Sequence, residues 1–196
     1  NDRGVEVELA ETLGMFRQWW IVGPLDNTDG RGFDTPFAPE RAFVEGACPV
    51  TAAATVAGKE VDGEPQPVQW QAITSDDALG MVDLNKPLAD AKDATAYAWM
   101  AFDVEQGGPA EVRLGCINAS KVWINGELID ANEVYHSGTR IDQYTAPCTL
   151  REGRNRVLLK ICQNAQTESW AQDWQFQFRL TDPQGAALHP TMKPQP

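Results

Sequence analysis

The chain has 196 residues, 28 of them acidic and 16 basic, for a formal net charge of -12, with 42% hydrophobic and 22% charged residues. That length holds one well-buried core and is too short for two ordinary enzyme domains. No cluster of Lys and Arg stands apart from the acidity, so nucleic acid and anionic membrane are not expected partners. No apolar run approaches the ~20 residues needed to span a bilayer, and the first residues lack the basic-then-apolar pattern of a secretory signal. The expectation is an intracellular chain, a processed one, or a piece of a longer polypeptide.

Val5 to Leu13 mixes apolar and acidic letters and predicts a helical turn or two, ended near Gly14, as a lead-in from something upstream. Met15 to Gly23 is rich in aromatic and β-branched residues and reads as a strand stopped by Gly23-Pro24. Its adjacent Trp19 and Trp20 then point to opposite faces, one into the core and the other over a sheet edge or toward a ligand. Asp26 to Glu40 reads as a turn-rich loop. Its Asp26, Asn27, Asp29 and Asp34 lie close enough to converge on a calcium ion, which takes several carboxylate and carbonyl oxygens. The register differs from the D-x-[DN]-x-[DN]-G loop, and Asx-turns explain the same letters.

Thr51 to Val56, Val68 to Ile73 and Gly80 to Leu84 read as short strands. Tyr97 to Val104 is a longer one, with Ala98, Met100, Phe102 and Val104 on one face and Tyr97 and Trp99 on the other. Two apolar faces imply a central strand covered on both sides. Gln106-Gly107-Gly108-Pro109 turns it into Ala110 to Ile117. Val122-Trp123-Ile124 and Glu127-Leu128-Ile129 flank Asn125-Gly126, a dipeptide suited to the positive φ of a type I′ turn, which predicts a β-hairpin. Trp123 is expected to pack against the N-terminal section. A long loop follows from Asp130 to Pro147. The chain then turns at Glu152-Gly153 into a strand over Arg156 to Gln163, and a loop with Trp170 leads to Trp174 to Leu180. Alternation there puts Trp174, Phe176, Phe178 and Leu180 on one face. After Gly185 the sequence is Pro-rich and predicts a flexible tail over 187–196.

Cys48, Cys116, Cys148 and Cys162 show no C-x-x-C or Cys/His spacing, so a zinc site is not expected. Three disulfide pairings are open, beside the alternative of buried free thiols; period 2 would keep an inward Cys116 from an outward Cys162. Asn118-Ala119-Ser120 matches a glycosylation acceptor, a pattern common by chance.

Strands at short spacing with no amphipathic helix between them exclude βαβ crossovers. They predict an all-β jelly-roll sandwich over 15–186, preceded by a short helical lead-in over 1–14. Tyr97-Ala98-Trp99-Met100-Ala101-Phe102, the Val122 to Gly126 hairpin, the Leu150-Arg-Glu-Gly-Arg-Asn155 turn and the closing Phe176 to Leu180 strand occur in an order that resembles the galactose-binding-like jelly rolls. Among these the resemblance is to the sugar-binding N-terminal domain of glycoside hydrolase family 2, and it covers about half of the chain. It implies a non-catalytic module of a larger exported bacterial protein, which binds carbohydrate at its loops or packs against neighbouring domains of the same polypeptide. No catalytic residue carries over.

Sugar recognition needs an aromatic face and planar polar groups on loops. Tyr135, His136, Arg140, Asp142 and Trp170 supply these. Against them stand an end plug for Trp170, a bracing ion pair for Arg140 and Asp142, and a solvated histidine. A spacer module without sugar binding is one alternative. A second is a jelly-roll polysaccharide lyase, which would use Tyr135, His136, Arg140 and Tyr144 for proton abstraction and charge neutralisation.

Overall fold

A computed structural model describes residues 9–50 and 55–193. Every strand pairing among these residues is antiparallel, and the fold is an all-β sandwich. A helical turn over residues 9–12 leads into β1 (Gln18–Asp26). A 3-10 segment (Thr28–Phe33) and one helix, α1 (Ala38–Val44), follow. Next come β2 (Thr55–Val61), β3 (Glu64–Gln69), β4 (Gln71–Thr74) and β5 (Val82–Asp83). The long β6 (Ala94–Val104), β7 (Gly108–Cys116), β8 (Ala119–Ile124) and β9 (Glu127–Asn132) precede β10 (Tyr144–Leu150) and β11 (Gly153–Gln163). A second 3-10 turn (Ser169–Ala171), β12 (Gln175–Thr181) and β13 (Thr191–Lys193) complete the described chain.

The large sheet runs β4-β1-β6-β11-β8-β9, with β13 also on β6; the smaller runs β10-β7-β12-β5. Alternation fills the space between them. Trp19 and Ile21 of β1, Ala98, Met100 and Phe102 of β6, and Val157, Leu159 and Ile161 of β11 face Val112 and Leu114 of β7 and Phe176, Phe178 and Leu180 of β12. Aromatic edges meet faces at the centre, with Phe16 5.1 Å from Phe178 and Trp19 5.2 Å from Phe176.

β6 has a second apolar face because the large sheet is covered outside as well. Tyr97, Trp99, Trp123 and Leu158 form a second core with Phe43 of α1 and with Val56 and Trp70 from the segment that carries the β2–β3 hairpin. Trp20 packs partly buried against this outer core, so the two adjacent tryptophans do part to opposite faces.

Several boundaries differ from the sequence expectation. β1 runs on past the cis Gly23-Pro24 peptide to Asp26, with its register shifted between Val22 and Leu25. A proline lacks the N–H a ladder needs, and the irregularity is where one fits. The strand expected over Thr51 to Val56 is described from Thr55 on, its first four residues lying outside the described residues; α1 lies at the end of what read as loop, and Pro39 occupies its first turn, where a missing N–H costs nothing. The long loop shrinks to residues 133–143, because β9 and β10 extend into both its ends. The segment after Gly185 turns back through Leu188, which donates to the Leu180 carbonyl, and places β13 on β6 at Ala101 to Asp103. Only residues 194–196 of the expected tail lie outside the described residues.

Candidate functional site

The candidate site lies at the end of the sandwich where β1, β9 and β11 finish and β6, β8 and β12 begin. Its base is a knot of buried amides. Asn118 is fully buried, donates from Nδ2 to Gln163 Oε1 at 3.1 Å and to the Asp173 carbonyl at 3.1 Å, and accepts from the Gln175 amide at 3.1 Å. Gln163, also buried, donates to the carbonyls of Ala171 and Asp173 at 3.3 and 3.2 Å. Asn27 donates to the Gln163 carbonyl at 3.0 Å and to the Tyr135 hydroxyl at 3.1 Å. These three side chains tie loops 27–33, 133–143 and 164–174 to the strand ends. Because both ends of the Asn118 amide are occupied inside the protein, the Asn118-Ala119-Ser120 triplet is not presented to solvent as an acceptor.

On this base stands Trp170, in the 3-10 turn Ser169–Ala171, with its residue surface 57% exposed. Its ring meets His136 edge to face, with centroids 5.1 Å apart and planes at 88°. Asn164 Oδ1 lies 2.9 Å from His136 Nε2 and fixes the imidazole, and Tyr135 lies 6.4 Å from His136. Burial pushes the Tyr135 hydroxyl up to about 12, so it stays neutral. Asn164 also donates to Gln166 Oε1 at 2.8 Å, and Gln172 caps the turn through the carbonyls of Thr167 and Glu168. An exposed indole beside fixed planar amides is the arrangement that lets a ring's C–H face stack while its hydroxyls find partners.

The structure thus brings together Tyr135, His136 and Trp170 from the residues selected by sequence, and turns Asp142 away from them. The Arg140 carbonyl crosses so close to Gly115 that a Cβ there would stand 2.5 Å from it. Beyond that crossing Asp142 faces the outer surface of the small sheet, where it accepts from Arg179 Nε at 2.8 Å and Arg113 Nη1 at 3.3 Å. The Arg179 guanidinium, followed by Arg113, holds the Asp142 carboxyl below the usual carboxylate range against the opposing effect of burial. Arg140 and Asp142 therefore form no pair with one another, and Asp142 braces the loop through two other arginines. Tyr144, a member of the lyase alternative, meets Ser137 Oγ at 3.3 Å.

The four calcium candidates each have a partner of their own or point elsewhere. Asp26 Oδ1 accepts from Thr28 Oγ1 at 2.6 Å, Asn27 is turned inward, Asp29 faces Arg31 at 3.8 Å, and Asp34 pairs with Lys121 at 3.0 Å. Among the described residues no three His, Cys, Asp or Glu side chains gather as a metal would require.

A second buried polar group anchors the outer cover. Lys160 has no exposed surface; its Nζ donates to the carbonyls of Phe33 and Thr35 at 2.9 and 2.8 Å and to Glu40 Oε2 at 2.9 Å. Tyr97 donates to the same Glu40 oxygen at 2.8 Å. Burial lowers the Lys160 pKa while Glu40 opposes the shift. By period 2 Lys160 shares the outward face expected for Cys162, yet nothing in the letters showed that loop 33–40 would close over it.

The architecture is an antiparallel β-sandwich of two facing sheets. No family of related sequences matches the chain, and no curated protein does. Among solved structures, a beta-glycosidase from Bacteroides vulgatus aligns with 86% of this chain and 20% of its own, at 14% identity and a TM-score of 0.42. Beta-glucosidase from Kluyveromyces marxianus aligns with 63% of this chain and 15% of its own, at 15% identity and 0.42. The PA14 domain of MpAFP antifreeze protein aligns with 50% of this chain and 48% of its own, at 14% identity and 0.36. The chain therefore spans a fifth or less of the length of these two glycosidases.

Proposed function

We propose that this chain is a non-catalytic carbohydrate-binding module of a larger exported protein, with Trp170 and His136 as its sugar platform. The observation that carries the reading is an indole left 57% exposed on a turn whose backbone is fastened from beneath by Gln163 and Asn118. Large exposed aromatics cost solubility, and a fixed one keeps its face available at little conformational cost on binding. The hydroxyls of Tyr135 and Tyr144 and the Nε2 of His136 are turned to Asn27, Ser137 and Asn164, and His136 Nδ1 is buried, which speaks against a proton-abstracting constellation open to a substrate. The test is saturable binding on a glycan array followed by calorimetry. Trp170→Ala should abolish binding while leaving the thermal transition in place, and array-wide absence of Trp170-dependent binding would refute the proposal.

A docking role has a separate support. Val44 and Leu128 are 51% and 50% exposed, and the turn at Gly126 lies against the Val44 backbone. A neighbouring domain covering them would leave Trp170→Ala silent and make Leu128→Ser weaken the domain contact.

A further inference from the structure

The turn that carries Trp170 is set among carboxylates. Glu168 is exposed and immediately precedes it, and Asp173 is exposed just beyond it. One nearby cation, Lys92, is tied by a 2.8 Å hydrogen bond to the carbonyl of Ala171, next to Trp170, and lies within the field of Asp90 and Asp173; another, Lys59, donates to the carbonyls of Lys92 and Asp93 at 2.6 and 3.1 Å. On the His136 side, Glu133 and Asp93 act on the Tyr135 hydroxyl in the same way. Around the turn and its Tyr135–His136 neighbours there are thus five carboxylates, Glu168, Asp173, Asp90, Glu133 and Asp93, against two lysines, Lys92 and Lys59, whose ammonium groups are both bound to backbone carbonyls.

Two effects then act on any ligand stacked there. An indole is the best aromatic partner for a cation, through the negative face of its ring. Carboxylates within a Debye length of ~8–10 Å add an attraction for positive charge and the opposite for negative charge. We infer that the Trp170 platform takes sugars with a free protonated amine, 2-amino-2-deoxyhexose residues, in preference to neutral sugars, and rejects uronic acids. This preference rests on the carbohydrate reading above and goes beyond it in naming the charge of the ligand.

Calorimetry on the whole chain at low salt and about pH 6, below the ~7.7–8.0 of an α-amino group, compares three ligands. These are a β-1,4-linked glucosamine tetramer, its fully N-acetylated counterpart and a galacturonate tetramer. The glucosamine tetramer should bind about tenfold tighter than the acetylated one, as an exposed cation–π contact with added charge attraction allows, and the uronate should not bind. The advantage should shrink to about twofold or less in ~0.5 M salt and in the Glu168→Gln/Asp173→Asn variant, and Trp170→Ala should remove binding of both. Equal, Trp170-dependent affinity for the first two tetramers overturns the charge preference and leaves the carbohydrate reading standing. Binding of the cationic tetramer that survives Trp170→Ala is attraction to the acidic surface alone and overturns the inference. Absence of Trp170-dependent binding by every sugar overturns both.

Discussion

Asn125 and Asn155 are joined side chain to side chain, Asn125 Nδ2 donating to Asn155 Oδ1 at 2.8 Å. The first sits at φ 53 in the hairpin turn between β8 and β9, ahead of Gly126 at φ 92; the second follows the Gly153 turn that opens β11. Asn125 Oδ1 also accepts from the Arg156 amide at 2.9 Å, and Asn155 closes its own turn through the Arg151 amide and the carbonyls of Arg151 and Gly153. Two short motifs far apart in the chain are therefore one structural unit that sets the register of β8 on β11. Replacing the fully buried Asn155 by Ala leaves several backbone groups without partners, at about 2–3 kcal/mol. The melting temperature should fall by roughly 5–10 °C, and a double-mutant cycle with Asn125→Ala should show coupling of at least about 0.5 kcal/mol. Additive effects would show the contact to be incidental.

The same unit marks how far the sequence was legible. Asn-Gly between apolar runs has a local cause, positive φ, and alternation in Trp174 to Leu180 has a local period, so both could be read directly. The outer cover could not. Phe37, Phe43, Val56 and Val68 come from a helix, a loop and a hairpin with no common period, and their shared surface exists only after the chain has folded back over Tyr97 and Trp99. Asn27 misled for a related reason: an Asx-turn, a metal ligand and a buried amide use the same letter, and only burial distinguishes them. Arg140 and Asp142 suggested a local pair, but Asp142 is taken by Arg179 and Arg113, which come from strands distant in sequence. β13 was hidden by its flanking prolines, which punctuate a three-residue strand as readily as a loose tail.

Lys160 and Glu40 form a buried ion pair whose removal by halves should be costly. Glu40→Ala leaves an ammonium without its carboxylate and takes the acceptor from Tyr97, with an expected loss of roughly 3–5 kcal/mol in urea unfolding. The joint change Lys160→Met with Glu40→Leu should recover most of that loss, because apolar replacement of both partners also removes the desolvation cost. A double variant as unstable as the single one would show that packing of loop 33–40, not charge, governs the region.

Asp142 makes stability depend on acid pH. Its folded pKa lies below the ordinary carboxylate value through Arg179 and Arg113, so the folded state binds its proton more weakly than the unfolded chain. Its contribution is complete above about pH 4–5 and is lost as pH falls through the depressed folded value. At neutral pH Asp142→Asn should cost about 1.5 kcal/mol, in the range for hydrogen bonds to charged groups, and the gap to the parent protein should close as the pH drops below that value. A gap independent of pH would assign the effect to loop geometry.

The thiols should divide by burial. All four cysteines are free; Cys116, Cys148 and Cys162 are buried, and burial raises their pKa values to about 12, 11 and 11. A thiol-reactive dye acts on the thiolate, which these three scarcely form at neutral pH. One equivalent, at the half-buried Cys48, should react promptly in the native protein, and all four should react in denaturant. Prompt native labelling of more than one site would mean that the sandwich opens readily, and fewer than four after unfolding would point to disulfides in the chain.

Platform and support should respond differently at the Trp170 end. Trp170 is mostly exposed, and its main ring contact is with His136, so Trp170→Ala should change stability by less than about 1 kcal/mol. Gln163 is buried and joins the end of β11 to the carbonyls of Ala171 and Asp173 on one side and to Asn118 on the other. Gln163→Ala strands these groups and should cost about 2–3 kcal/mol. The loss should not be uniform: hydrogen exchange should accelerate most in residues 164–174, whose anchor has gone, while β6 and β12 keep protection set by global unfolding. Because the indole would then have to be ordered on binding, the variant should also bind sugar more weakly although Gln163 is buried beneath the platform. Uniform loss of protection across the sandwich, with sugar affinity unchanged, would separate the knot from the site above it.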